Sequence, residues 1–147
     1  MPIQLVGAEI SNMDLAAASI TTEASITATS SATGNLCIST GVFGVQNTGS
    51  YYVEVFTPYL TKGTTNLDIE LFEGASSGGT FLQTLSGHMT ASSVLGQGIC
   101  MVAKVTLTAG AHNMTVTGFV DAGTGKFGAG AGTTGNAPPA FIHVFSA

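Results

Sequence analysis

Along most of this chain apolar and polar residues alternate one by one. Tyr51–Leu60 sets Val53 and Val55 against Tyr52, Glu54 and Phe56. Asn66–Glu73 sets Leu67, Ile69 and Leu71 against Asp68, Glu70 and Phe72, and Ile99–Leu107 sets Met101, Ala103, Val105 and Leu107 against Val102, Lys104 and Thr106. Extended backbone points successive side chains to opposite sides, so a period of two marks a strand with one dry and one wet face. Leu36–Phe43, Thr80–Leu85, Asn113–Val120 and Phe141–Phe145 are further strands of this kind. Turn residues separate them: Gln46-Asn47-Thr48-Gly49, Ser76-Ser77-Gly78-Gly79 and Ala109-Gly110, with Pro58 weakening the end of its strand. About eight strands and essentially no helix predict an all-β sandwich or jelly roll.

Two stretches break the pattern. Residues 1–33 include a short apolar segment, Ile3 to Val6, then a run rich in Ala, Ser, Thr and Ile with no turn signal before Gly34. Leu15–Ala18 suits a helical turn and Ser19–Thr27 is β-prone, so residues 1–33 are expected to form an extended arm or docking segment, or else the first strands, and residues 34–147 the sandwich. Gly123–Pro139, rich in Gly, Ala and Thr, is expected to be a long functional or interfacial loop.

Composition narrows the class. Of 147 residues 44% are hydrophobic and only 7% charged, with three Lys or Arg against eight acids, for a net charge of −5. A nucleic-acid partner is not expected, because displacing counterions from phosphates needs a basic footprint. Apolar content argues against disorder, and no stretch reaches the roughly 18–20 apolar residues of a spanning helix. A surface so poor in charge repels its own kind weakly, which favours burial against other subunits. Met1-Pro2-Ile3-Gln4-Leu5 lacks the basic start and apolar core of a secretory signal, so a cytoplasmic product is expected.

Few residues form a chemical constellation. Gly123-Thr124-Gly125-Lys126-Phe127-Gly128 matches GxGxxG, but the glycines that follow disfavour the helix a dinucleotide site requires, and Phe127 replaces the Ser/Thr of a P-loop. His88, His112 and His143 have no partner at metal-ligand spacing; repeated around a threefold axis, His112 or His143 would be the candidates for a cation. Asp68 and Glu70 share a strand face about 7 Å apart, a spacing that suits a glycosidase carboxylate pair or a calcium site, against the plainer reading of a solvated face. Cys37 and Cys100 read as buried reduced side chains, with a disulfide or a thiol nucleophile as alternatives. No GxSxG occurs. No catalytic residue, cofactor or metal is therefore assigned, and no enzyme activity is expected.

Thr40-Gly41-Val42-Phe43 followed by Thr48-Gly49-Ser50-Tyr51-Tyr52-Val53 resembles the "G-x-F … G-x-Y-x-F" segment of C1q/TNF-like jelly rolls. Leu107-Thr108-Ala109-Gly110 with the strand Met114–Val120 is similar to that family's "L-x-x-G-D-x-V" hairpin, and Phe141-Ile142-His143-Val144-Phe145 to its terminal "F-x-G-x-L" strand. Ala111 stands in place of the family's Asp, His143 in place of its Gly, and Val53 in place of the aromatic after Tyr51. The resemblance implies a jelly-roll β-sandwich (C1q/TNF-like) that forms a homotrimer, as in phage decoration and fibre proteins. With no secretory signal, it further implies a structural virion protein assembled in the host cytoplasm. The foremost expectation is a trimeric capsid decoration (cement) protein that binds the major capsid protein, or another virion protein, through its N-terminal arm. The alternative is a tail-fibre or receptor-binding head meeting host glycan through residues 74–79 and 121–139. No membrane partner is expected. Subunit or capsid contacts are expected at Ile3, Leu5, Ile20 and Ile26 of the arm, and at Tyr52, Phe56, Phe119, Phe141 and Phe145 of the sandwich.

Overall fold

The alternating segments become two antiparallel four-stranded sheets in a computed structural model that describes residues 15–62, 64, 66–86, 98–132 and 135–147. The strands are β1 (Ala16–Ile20), β2 (Thr22–Ile26), β3 (Asn35–Val45), β4 (Gly49–Thr57), β5 (Leu60–Thr61) and β6 (Asp68–Glu73). They continue with β7 (Thr80–Ser86), β8 (Ile99–Leu107), β9 (Gly110–Phe119), β10 (Gly125–Gly132), β11 (Gly135–Asn136) and β12 (Ala140–Ser146). The first sheet runs β1-β12-β4-β8 and the second β3-β9-β6-β7. A smaller sheet, β11-β10-β2, also pairs β5 with β10. The chain crosses repeatedly between the two large sheets, so its fold is a jelly-roll β-sandwich. A single 3-10 turn, Ser31–Thr33, is the helical element among the described residues.

The core lies between the sheets. Val53, Val55, Ile142 and Val144 enter it from the first, and Ile38, Ile69, Leu71, Met114 and Val116 from the second, all at 0–2% exposure. Each such side chain contributes roughly 1.5–3 kcal/mol by leaving water. The period-2 reading of β4, β8 and β12 holds residue by residue, since every buried position on these strands falls on the expected parity.

Three expectations are corrected. Leu15–Ala18 makes no helical turn: Ala16–Ile20 pairs with Ala140–Val144, because a neighbouring strand satisfies its backbone more completely than an isolated turn would. Of the two readings of residues 1–33, an arm or the first strands, residues 16–26 follow the second: β1 edges the first sheet and β2 pairs with β10. Ile26, expected at an outer contact, is fully buried in the core of its own chain. The expected loop 123–139 instead contains β10 and β11.

The glycines of β10 explain why a strand forms there. A Cβ on Gly128 would lie 2.5 Å from the Tyr59 ring, and one on Gly130, where φ is +54°, would lie 1.9 Å from the Thr21 carbonyl oxygen. Only bare backbone approaches that closely. Glu23 then clamps β2 to its neighbours: its Oε1 lies 2.8 Å from Lys126 Nζ, and its Oε2 accepts the Tyr59 hydroxyl at 2.5 Å. The hydrogen bonds from Lys126 and Tyr59 hold the Glu23 carboxyl below its usual range.

Gly130→Ala is expected to destabilise the chain by about 2 kcal/mol or more, since it adds both a clash and a disfavoured φ. Urea denaturation checks this, and an unchanged midpoint would remove the β2–β10 contact from the account.

Candidate functional site

The outward face of the β1-β12-β4-β8 sheet carries a group of four half-buried aromatic side chains. Register sets it out in rows. Phe141, Phe56 and Cys100 are neighbours across β12, β4 and β8; the next row is His143, Glu54 and Val102, and the third is Phe145, Tyr52 and Lys104. Two aromatic rows thus flank a row with one imidazole, one carboxylate and a half-exposed Val102.

The rings are mutually ordered. Phe56 and Phe141 stack with centroids 5.1 Å apart and planes 17° apart, and Phe141 also stacks on His143 at 4.7 Å. Tyr52 meets Phe145 at 5.7 Å, with Lys104 Nζ 5.8 Å from the Tyr52 centroid. Such pairs add about 0.5–1.5 kcal/mol beyond area burial, so the rows are preorganised before anything covers them. A ring that stacks on its neighbour gives that face away and presents its edge outward.

Of the nine expected contact residues, four meet here: Tyr52, Phe56, Phe141 and Phe145. Phe119 belongs to β9 in the other sheet, and Ile20 is half-buried on β1 and packs against the core. Ile3 and Leu5 lie outside the described residues. Parity could have added Glu54, Val102, Lys104 and His143, but which strands lie side by side has no local signal.

The remaining candidates are structural. Glu70 is 7% exposed and accepts a hydrogen bond from Ser31 Oγ, while Asp68 accepts one from Asn66 Nδ2. The expected wet face of β6 is covered, with Phe72 meeting Phe81 edge-on at 5.6 Å. Gly123–Gly128 leads into a strand, so no helix N-terminus is there to receive a pyrophosphate. Cys37 and Cys100 are both free thiols, and Cys100 is exposed rather than buried. Its S–H donates to Glu54 Oε1 at 3.2 Å; partial burial first, then the carboxylate, push that thiol above its usual range, opposite to an activated nucleophile. Full burial pushes the Cys37 thiol up further still. Both ring nitrogens of His112 face oxygen atoms, Glu73 Oε1 at 2.5 Å and the Thr108 carbonyl at 2.8 Å, so each is already occupied by a contact within the chain. His88 lies outside the described residues. Among the described residues no three His, Cys, Asp or Glu side chains form a metal-binding group.

Solved structures with the same architecture span nearly the whole chain. A carbohydrate-binding module of Cellvibrio mixtus lichenase 5A, solved in complex with cellotriose, superposes with a TM-score of 0.51 at 15% identity over 93% of both chains. The Eiger TNF of S. frugiperda gives 0.47 at 16% identity, over 91% of this chain and 93% of its own. A C-terminal CBM6 of the laminarinase LamC from Zobellia galactanivorans gives 0.47 at 12% identity, over 91% and 97%. At these identities the likeness shows the fold. No protein-family model and no curated protein sequence matches the chain.

Cys37 is expected to resist alkylation in the native chain and to react only on unfolding. Mass spectrometry after a short iodoacetamide pulse tests this, and native labelling of Cys37 would contradict its place in the core.

Proposed function

We propose that this chain is a non-enzymatic structural module that assembles as a homotrimer through the aromatic face of β1-β12-β4-β8 and decorates a phage capsid. The observation that carries the reading is the ordered aromatic group on that face. Tyr52, Phe56, Phe141 and Phe145 sit with Val102, Glu54, Lys104 and His143, and aromatic side chains are enriched in protein interfaces. Sugar stacking instead uses ring faces turned to solvent, and the Phe56–Phe141–His143 stack offers few.

The threefold operator comes from the resemblance to C1q/TNF-like jelly rolls. A net charge of −5 per chain sets only weak repulsion against bringing three copies together. Shell binding is assigned to residues 1–14, with Ile3 and Leu5 as the apolar contacts, because residues 16–26 are committed to the sandwich. Buried apolar area and strand addition, repeated over many copies, would reinforce a shell through avidity. The partners in this reading are further copies of the chain and the major capsid protein, met in the cytoplasm where shells assemble.

Light scattering is expected to return about 44 kDa, three times the 14.7 kDa chain. Phe56→Glu and Phe141→Glu should each fall to the single-chain mass while keeping the β-type circular dichroism of the parent. The parent should also co-sediment with empty capsids. A monomeric parent would overturn the trimer, and binding to host glycans but not to capsids would make the module a fibre or receptor-binding head.

A further inference from the structure

At one end of the sandwich an open cleft of about 390 Å³ is lined by Val42, Glu73, Gly74, Thr80, Ala111, His112 and Asn113. His112 is 7% exposed, and both of its contacts are to oxygens that can only accept: Glu73 Oε1 on β6, and the Thr108 carbonyl in the turn between β8 and β9. A neutral imidazole carries one N–H, so it satisfies one of these oxygens and turns a lone pair toward the other. Only the imidazolium donates to both.

We propose that His112, in the wall of this cleft, is a proton-operated latch that ties the β8–β9 turn to the end of β6. Glu73 is the charged group that faces the ring; β3 contributes the uncharged Phe43 ring, 6.2 Å away, and the turn contributes the Thr108 carbonyl. Burial draws the imidazole toward its neutral form, but the Thr108 carbonyl and the Glu73 carboxylate outweigh it and hold the pKa above its ordinary value. Because the folded value is the raised one, the latch contributes in full below pH about 6.5, where the unfolded chain also holds the proton. It is lost as pH rises through the folded midpoint.

The geometry also says which contact fails. A carboxylate accepts more strongly than a carbonyl, so the last proton stays on Nδ1 toward Glu73, and Nε2 then meets the Thr108 oxygen lone pair to lone pair at 2.8 Å. The turn yields. Gly110 has φ +143° and open space around it, which gives the turn room to move. The Ala109 amide donates to Thr48 Oγ1 at 3.1 Å, so the displacement passes to the turn between β3 and β4.

Ring ¹⁵N NMR on the full chain tests the latch, with histidine assignments from single variants. The expected result is an imidazolium at His112 with a midpoint above 6.5, and amide signals of Thr48, Thr108, Ala109 and Gly110 that follow the same midpoint. Glu73→Gln should lower that midpoint and carry the four amides with it; His112→Gln should leave them flat. A neutral His112 throughout, a midpoint unmoved by Glu73→Gln, or amides that ignore the titration would each overturn the proposal.

Discussion

The pairing of β4 with β12 is the constraint on which the rest of the molecule depends. These are the two central strands of the first sheet, and their register puts Val53, Val55, Ile142 and Val144 into the core. The same register puts Tyr52, Glu54 and Phe56 beside Phe145, His143 and Phe141 on the other side. Slipping β12 by one residue would drive Phe141, His143 and Phe145 into the core and turn Ile142 and Val144 to solvent. One set of hydrogen bonds thus builds both the core and the aromatic face.

That face makes the first sheet unlike the second. The outward side of β6 and β9 is closed by the chain itself: Ser31 donates to Glu70, Thr115 donates to the Gly74 carbonyl, and Ser77 donates to the Ala32 carbonyl. Thr115 and Thr117 are at 0% and 1% exposure there, Thr115 with its hydroxyl bonded and Thr117 with a buried hydroxyl that has no hydrogen-bond partner. No described segment plays that part over Tyr52, Phe56, Phe141 and Phe145, whose partners are each other. Leu36, Val42 and Phe81 on β3 and β7 of the second sheet are more than half exposed, so what sets the first sheet apart is that its half-buried aromatic side chains gather into one mutually stacked group.

Much of this was legible in the sequence wherever alternation ran unbroken. β4, β8 and β12 were readable with their faces, so Tyr52, Phe56, Phe141 and Phe145 could be named as outward before their sheet was known. Phe119 satisfied the same argument and belongs elsewhere, because parity carries no information about which sheet a strand joins. β10 was illegible: glycine has low strand propensity, and this strand exists because Tyr59 and Thr21 press on backbone that has no Cβ to obstruct them. The wet face of β6 was misjudged because its cover comes from residues about 40 positions upstream. The Glu23–Tyr59–Lys126 clamp and the His112–Glu73 pair left no trace either, since their members are 36 to 103 positions apart.

The central claim is that the aromatic face is covered by another copy of the chain. Carbene footprinting across a dilution series measures this directly, because it reads each ring's access to solvent. Labelling of Tyr52, Phe56, Phe141 and Phe145 is expected to fall as concentration rises through assembly, while that of Phe81, 51% exposed on the other sheet, stays constant. Equal labelling of all five at every concentration would contradict the account.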